Sequence, residues 1–137
     1  MTDWQPGMTI TAERLNDGTD PEEITTGAIA ATGFAINEFV ARRIGRLVYV
    51  SIQVDITTST AIKASGSTTG NVAGDPTIAT LPGGWWPSED SECSWDTGTV
   101  GGGAIISSAG NILIRTITYG QTSAQTDNIR LSTCFIQ

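Results

Sequence analysis

The sequence predicts an all-β protein, an antiparallel β-sandwich of jelly-roll type behind a short N-terminal arm, and three observations carry that reading. The first is the stretch from Leu47 to Ile56, in which Val48, Val50, Ile52, Val54 and Ile56 fall on one side of a two-residue period. Successive side chains of a strand point to opposite faces, so these aliphatics form one dry stripe, whereas a helix would spread them around its cylinder. The second is composition: 16 glycines among 137 residues, only 15% charged residues, and β-branched residues in short runs. Such a chain suits strands and turns and leaves little for helices. The third is the pair Ala104 to Ser107 and Ile112 to Arg115, joined through Ser108-Ala109-Gly110-Asn111, which reads as a hairpin with a Gly-centred loop.

Taken in order, residues 1–23 differ from the rest. Trp4-Gln5-Pro6-Gly7-Met8 forms turns, and Thr11 can cap a short helical turn that Asn16-Asp17-Gly18 ends. The apolar side chains here, Trp4, Met8, Ile10 and Leu15, are too few for a core and need another surface, so the segment reads as an attachment arm; a frayed terminus is the plainer alternative. Residues 24–137 then form the head. Ile24 to Ala31 and Phe34 to Val40, parted by Thr32-Gly33, lead into the Leu47 strand as a meander, with Ala41 to Arg46 as a turn or bulge. Thr57 to Ala79 reads mostly as loop and edge, with a brief strand around Ile62. A short run from Thr77 to Leu81 stops at Pro82-Gly83-Gly84. Beyond Gly101-Gly102-Gly103 come the hairpin, whose second strand continues to Tyr119, and a last strand from Asn128 to Ile136. That is roughly eight to ten strands, the density of a sandwich or jelly roll.

Charge and residue inventory exclude several functions. The net charge of −7, with Lys63 as the single lysine, opposes nucleic-acid binding and attraction to an anionic membrane. No apolar run approaches the ~20 residues of a membrane span, so no membrane insertion is expected. The chain has no histidine and two cysteines, Cys93 and Cys134, too few ligands for a zinc site and no imidazole for a Ser-His-Asp or Cys-His system. No metal and no cofactor are expected. The cysteines are open to pairing or to a role as buried reduced thiols.

Trp85, Trp86 and Trp95 stand near Glu89, Asp90, Glu92 and Asp96. Aromatic faces with carboxylate acceptors are what a saccharide needs, so Trp85, Trp86, Trp95, Glu89 and Asp90 are candidate ligand-binding residues. The competing reading places the tryptophans in the core or at a subunit interface, where a Pro-Gly-Gly turn swings a bulky residue into packing. Adjacent residues of an extended run point oppositely, so one of Trp85 and Trp86 should be buried and the other outward. A carboxylate pair such as Glu89 and Glu92 also suits a glycosidase, but exposed loop carboxylates without an apolar wall seldom become general acids.

The order of segments resembles the small C-terminal head modules of bacteriophage tail-tip and tail-fibre proteins. Arg42-Arg43-Ile44-Gly45-Arg46-Leu47-Val48 is similar to their R-x-x-G-x-x-V lead-in to a central strand. Leu81-Pro82-Gly83-Gly84-Trp85-Trp86-Pro87 is similar to their LP-x-G-[FWY]-x-P turn, with Trp86 where those modules often carry Arg before the Pro. Ala104-Ile105-Ile106 to Gly110-Asn111-Ile112-Leu113-Ile114 is similar to their V-x-I…G-x-I-x-I hairpin. Trp4-x-Pro6-Gly7, with Thr11 to Asn16, looks like the start of phage minor tail proteins. The resemblance implies a non-enzymatic virion component, made in the host cytoplasm and carried on the tail. It would assemble as a homotrimer with other tail proteins, attach through Trp4, Pro6, Gly7 and Leu15, and present a head that binds a host-surface saccharide. A freestanding lectin-like module is the rival reading.

Overall fold

The computed structural model describes residues 20–58, 62, 64, 70–121 and 128–137. The arm residues Trp4, Pro6, Gly7 and Leu15 lie outside the described residues. Nine strands form among those described: β1 (Glu22–Ile24), β2 (Ile29–Ala30), β3 (Phe34–Ile44), β4 (Leu47–Ile56), β5 (Thr77–Thr80), β6 (Ser91–Asp96), β7 (Gly101–Ile106), β8 (Asn111–Ile114) and β9 (Asn128–Ile136). All pairings are antiparallel, in the order β1-β3-β4-β9-β6-β7-β8-β5-β2. The two layers expected of a sandwich are therefore halves of one continuous, curled sheet. The halves join where β9 meets β6 through only Leu131↔Trp95 and Arg130↔Asp96, and β2 and β5 return against β3.

The core lies inside this curl. The β4 stripe forms as expected, with Val48, Val50, Ile52, Val54 and Ile56 all buried. Their inward cross-strand neighbours are Phe39 and Ala41 of β3 and Ile129, Leu131 and Phe135 of β9. The second half contributes Ile78, Ala79, Trp95, Ala104, Ile106, Ile112 and Ile114 to the same cluster. Each buried aliphatic of this size contributes about 1.5–3 kcal/mol. The strict alternation makes register unambiguous, because a one-residue slip would turn every β4 aliphatic outward.

Several expectations are corrected. Ala41 to Ile44 continues β3, and the turn is the two-residue loop Gly45-Arg46, where Gly45 takes a φ of 57° that suits glycine. The bulge of this strand lies earlier, between Ile36 and Glu38. Ile24 to Ala31 divides between β1 and β2, and Glu22 and Glu23 of β1 reach Arg43 and Arg42. Ser91 to Asp96, read only as an acidic and aromatic stretch, is strand β6. The hairpin's first strand, expected from Ala104, starts already at Gly101, because another backbone passes against Gly101-Gly102-Gly103. A Cβ on Gly102 would stand 2.0 Å from the Thr116 carbonyl oxygen, which also accepts the indole N–H of Trp95 at 3.0 Å. Finally, β8 ends at Ile114 rather than at Tyr119.

Candidate functional site

The turn Leu81-Pro82-Gly83-Gly84 sends the two adjacent tryptophans apart. Gly84 adopts a φ of 82° and the Trp85 amide donates to the Pro82 carbonyl, which carries Trp85 inward. Trp85 is 7% exposed and Trp86 38%, so the inward–outward division expected from adjacency holds, although a glycine turn and not an extended run produces it. Above Trp85 stands Arg43, on the core side of β3 opposite Val48, with its guanidinium 4.9 Å from the ring centroid. The same guanidinium donates to the Gly84 carbonyl at 3.0 Å, to Gln137 Oε1 at 2.9 Å and to a Glu22 carboxylate oxygen. A stacked cation with three acceptors fixes the turn from one side.

From the other side the turn is fixed by Trp86. Its Nε1–H donates to the Leu81 carbonyl at 2.8 Å, while the Leu81 amide donates to the Gly110 carbonyl at 2.9 Å. The indole lies over the β7–β8 loop, within reach of the α-carbon of Gly110. The next residues bind the same loop and the neighbouring strand. Asp90 Oδ1 accepts the Ser108 amide at 2.8 Å, and both the amide and the hydroxyl of Ser88 donate to the Ile136 carbonyl. A depression of about 230 Å³ lies between Pro87 to Ser91 and the end of β9 at Phe135 and Ile136. Glu89 and Asp90 are exposed beside it.

Of the sequence candidates, then, Trp86, Glu89 and Asp90 gather at one exposed corner beside the β7–β8 loop. Trp85 lies beneath that corner with no open face. Trp95 is 2% exposed at the β6–β9 junction and belongs to the core. Sequence reasoning missed Arg43. Its signal is that the two-residue Gly45-Arg46 loop puts position 43 in register with Val48, on the inward side. A row of half-exposed apolar side chains crosses the outer face: Ile44, Leu47 and Ile136 are cross-strand neighbours and 50–52% exposed, with Tyr49 and Cys134 paired in the next row. Cys134 is exposed, against the reading of two buried thiols, and both cysteines are free. Burial pushes the Cys93 thiol up to about 11.

No protein-family model matches the chain, and no curated protein sequence matches it. Among solved structures the fold is similar to that of the receptor binding protein (gp15) of Listeria phage PSA, with a TM-score of 0.52 and 19% identity. The similarity covers 91% of this chain and 71% of that one. At this identity the likeness establishes a shared antiparallel β fold.

Proposed function

We propose that this chain is a receptor-binding head carried on a bacteriophage tail, acting as a structural component without catalysis. The observation that carries the proposal is the likeness of nearly the whole chain to the fold of a phage receptor binding protein. The resemblance of the Arg42 to Val48, Leu81 to Pro87 and hairpin segments to phage tail heads supports the same reading. In it, residues 1–23 attach the head to other tail proteins through Trp4, Pro6, Gly7 and Leu15.

The corner at Trp86 suits a saccharide: a partly exposed indole offers a flat apolar face, and Glu89 and Asp90 offer acceptors for hydroxyl groups. The Ile44, Leu47 and Ile136 row suits a second copy of the chain, since contiguous apolar surface on a sheet face favours association and would be covered in a homotrimer. Glu89 and Glu92 are both exposed, an environment that supports binding by hydrogen bonding rather than acid catalysis. The test is binding of the purified, fluorescently labelled chain to cells of the host bacterium. Saturable binding, weakened by Trp86→Ala and competed by soluble cell-wall saccharide, is expected; equal binding to host and non-host cells would contradict the proposal.

A further inference from the structure

At the end of the β7–β8 pair away from Trp86, the sheet opens into a notch of about 290 Å³. The amides of Arg115 and Thr116 both donate to the Gly103 carbonyl, at 2.9 and 3.1 Å, so two residues oppose one as in a bulge. Such bulges re-aim side chains and recur beside binding sites. Past this point the chain stays against β7 on one side, the Thr118 amide donating to the Gly101 carbonyl at 2.8 Å, and meets the 70–72 segment on the other, where Asn71 bridges Thr116 and the Val72 amide donates to the Arg115 carbonyl. Glu92 of β6 and Arg115 line the notch together with Cys93, Gly103, Ile105 and Thr116. Asp75 holds Arg115 from outside the notch, Oδ2 to Nε at 3.3 Å, and does so from a left-handed φ of 41°, the one such non-glycine residue among those described. Strained residues of this kind persist where surrounding structure holds them, often at ligand clamps.

The geometry points to a binding site for one neutral sugar ring in this notch. A carboxylate accepts hydroxyl protons and a guanidinium donates to hydroxyl oxygens, and a sugar hydroxyl does both. Two carboxylates, Glu92 and Asp75, stand against one guanidinium on a chain of net charge −7, which disfavours phosphate and other anions. The volume is at the small end for ligand pockets, enough for a single ring with Ile105 as its apolar floor.

The experiment is amide NMR of the isotopically labelled chain titrated with neutral hexoses and N-acetylhexosamines, and separately with inorganic phosphate. Saturable shifts at Glu92, Gly103, Arg115 and Thr116 with at least one sugar and none with phosphate are expected. Arg115→Ala and, should that variant fold poorly, the isosteric Glu92→Gln should weaken the response about tenfold, equivalent to about 1.4 kcal/mol. No response at these amides to any sugar, or a response to phosphate alone, would overturn the site. Either outcome is read at the notch itself, so it is independent of whether the chain binds host cells.

Discussion

Trp86 lies so close over Gly110 that a Cβ added to the glycine would come within 2.2 Å of the indole Nε1. The contact locks the Leu81 to Pro87 turn onto the β7–β8 loop, and it exists because Gly110 carries no side chain and holds a φ of 81°. Gly110→Ala therefore adds both overpacking and left-handed strain, for an expected loss of about 2–4 kcal/mol. Denaturant unfolding should show it as a lower midpoint with an unchanged slope; an unchanged midpoint would show that the indole moves away freely.

The two adjacent tryptophans should separate in their effects. Trp85→Ala removes a buried ring and is expected to cost about 3–5 kcal/mol. Trp86→Ala loses one hydrogen bond and partial burial, about 1–2 kcal/mol, and leaves a folded chain. Arg43→Ala should also lower the melting temperature by more than Arg42→Ala, because Arg43 stacks on Trp85 while Arg42 makes an exposed pair with Glu23. Equal thermal losses for the two tryptophan variants would contradict the inward–outward division.

The cysteines give a pH-dependent check. With its pKa raised by burial from 9.0 to about 11, Cys93 stays protonated in the fold after an unfolded thiol has ionised. Its contribution to stability is complete below pH 9.0 and is lost as pH rises toward about 11. At mildly alkaline pH iodoacetamide should modify exposed Cys134 faster than half-buried Cys93, whose thiol stays protonated. Mass spectrometry showing equal native rates would contradict the burial of Cys93.

The outer apolar row supplies a test of assembly. Leu47→Glu or Ile136→Lys places charge where two half-exposed aliphatics meet across β4 and β9. The expected outcome is a shift of the light-scattering mass from trimer to monomer with the melting curve of the head retained. A parent chain that is monomeric at micromolar concentration would remove the proposed interface.

Much of the fold was legible because alternation is local. The β4 stripe, the β7–β8 hairpin and the β9 strand from Asn128 to Ile136 all declare themselves through periodicity and a glycine loop. What was not legible depends on contacts distant in sequence. The start of β7 at Gly101 to Gly103 shows no strand pattern until the Thr116 backbone is placed against it, and β6 shows little hydrophobic alternation because Glu92, Ser94 and Asp96 face outward while only Trp95 is fully buried on the other side. The tryptophan cluster was visible as composition. Its division into core, turn and surface required the β7–β8 loop on which Trp86 rests.

The most direct measurement is immunogold electron microscopy of virions, using an antibody against the head of this chain. Label at the tail end distal to the capsid, lost when the antibody is first adsorbed with purified chain, is the result expected of a tail-borne receptor-binding head. Label on the capsid, or intact particles that carry none of the chain, would contradict the account.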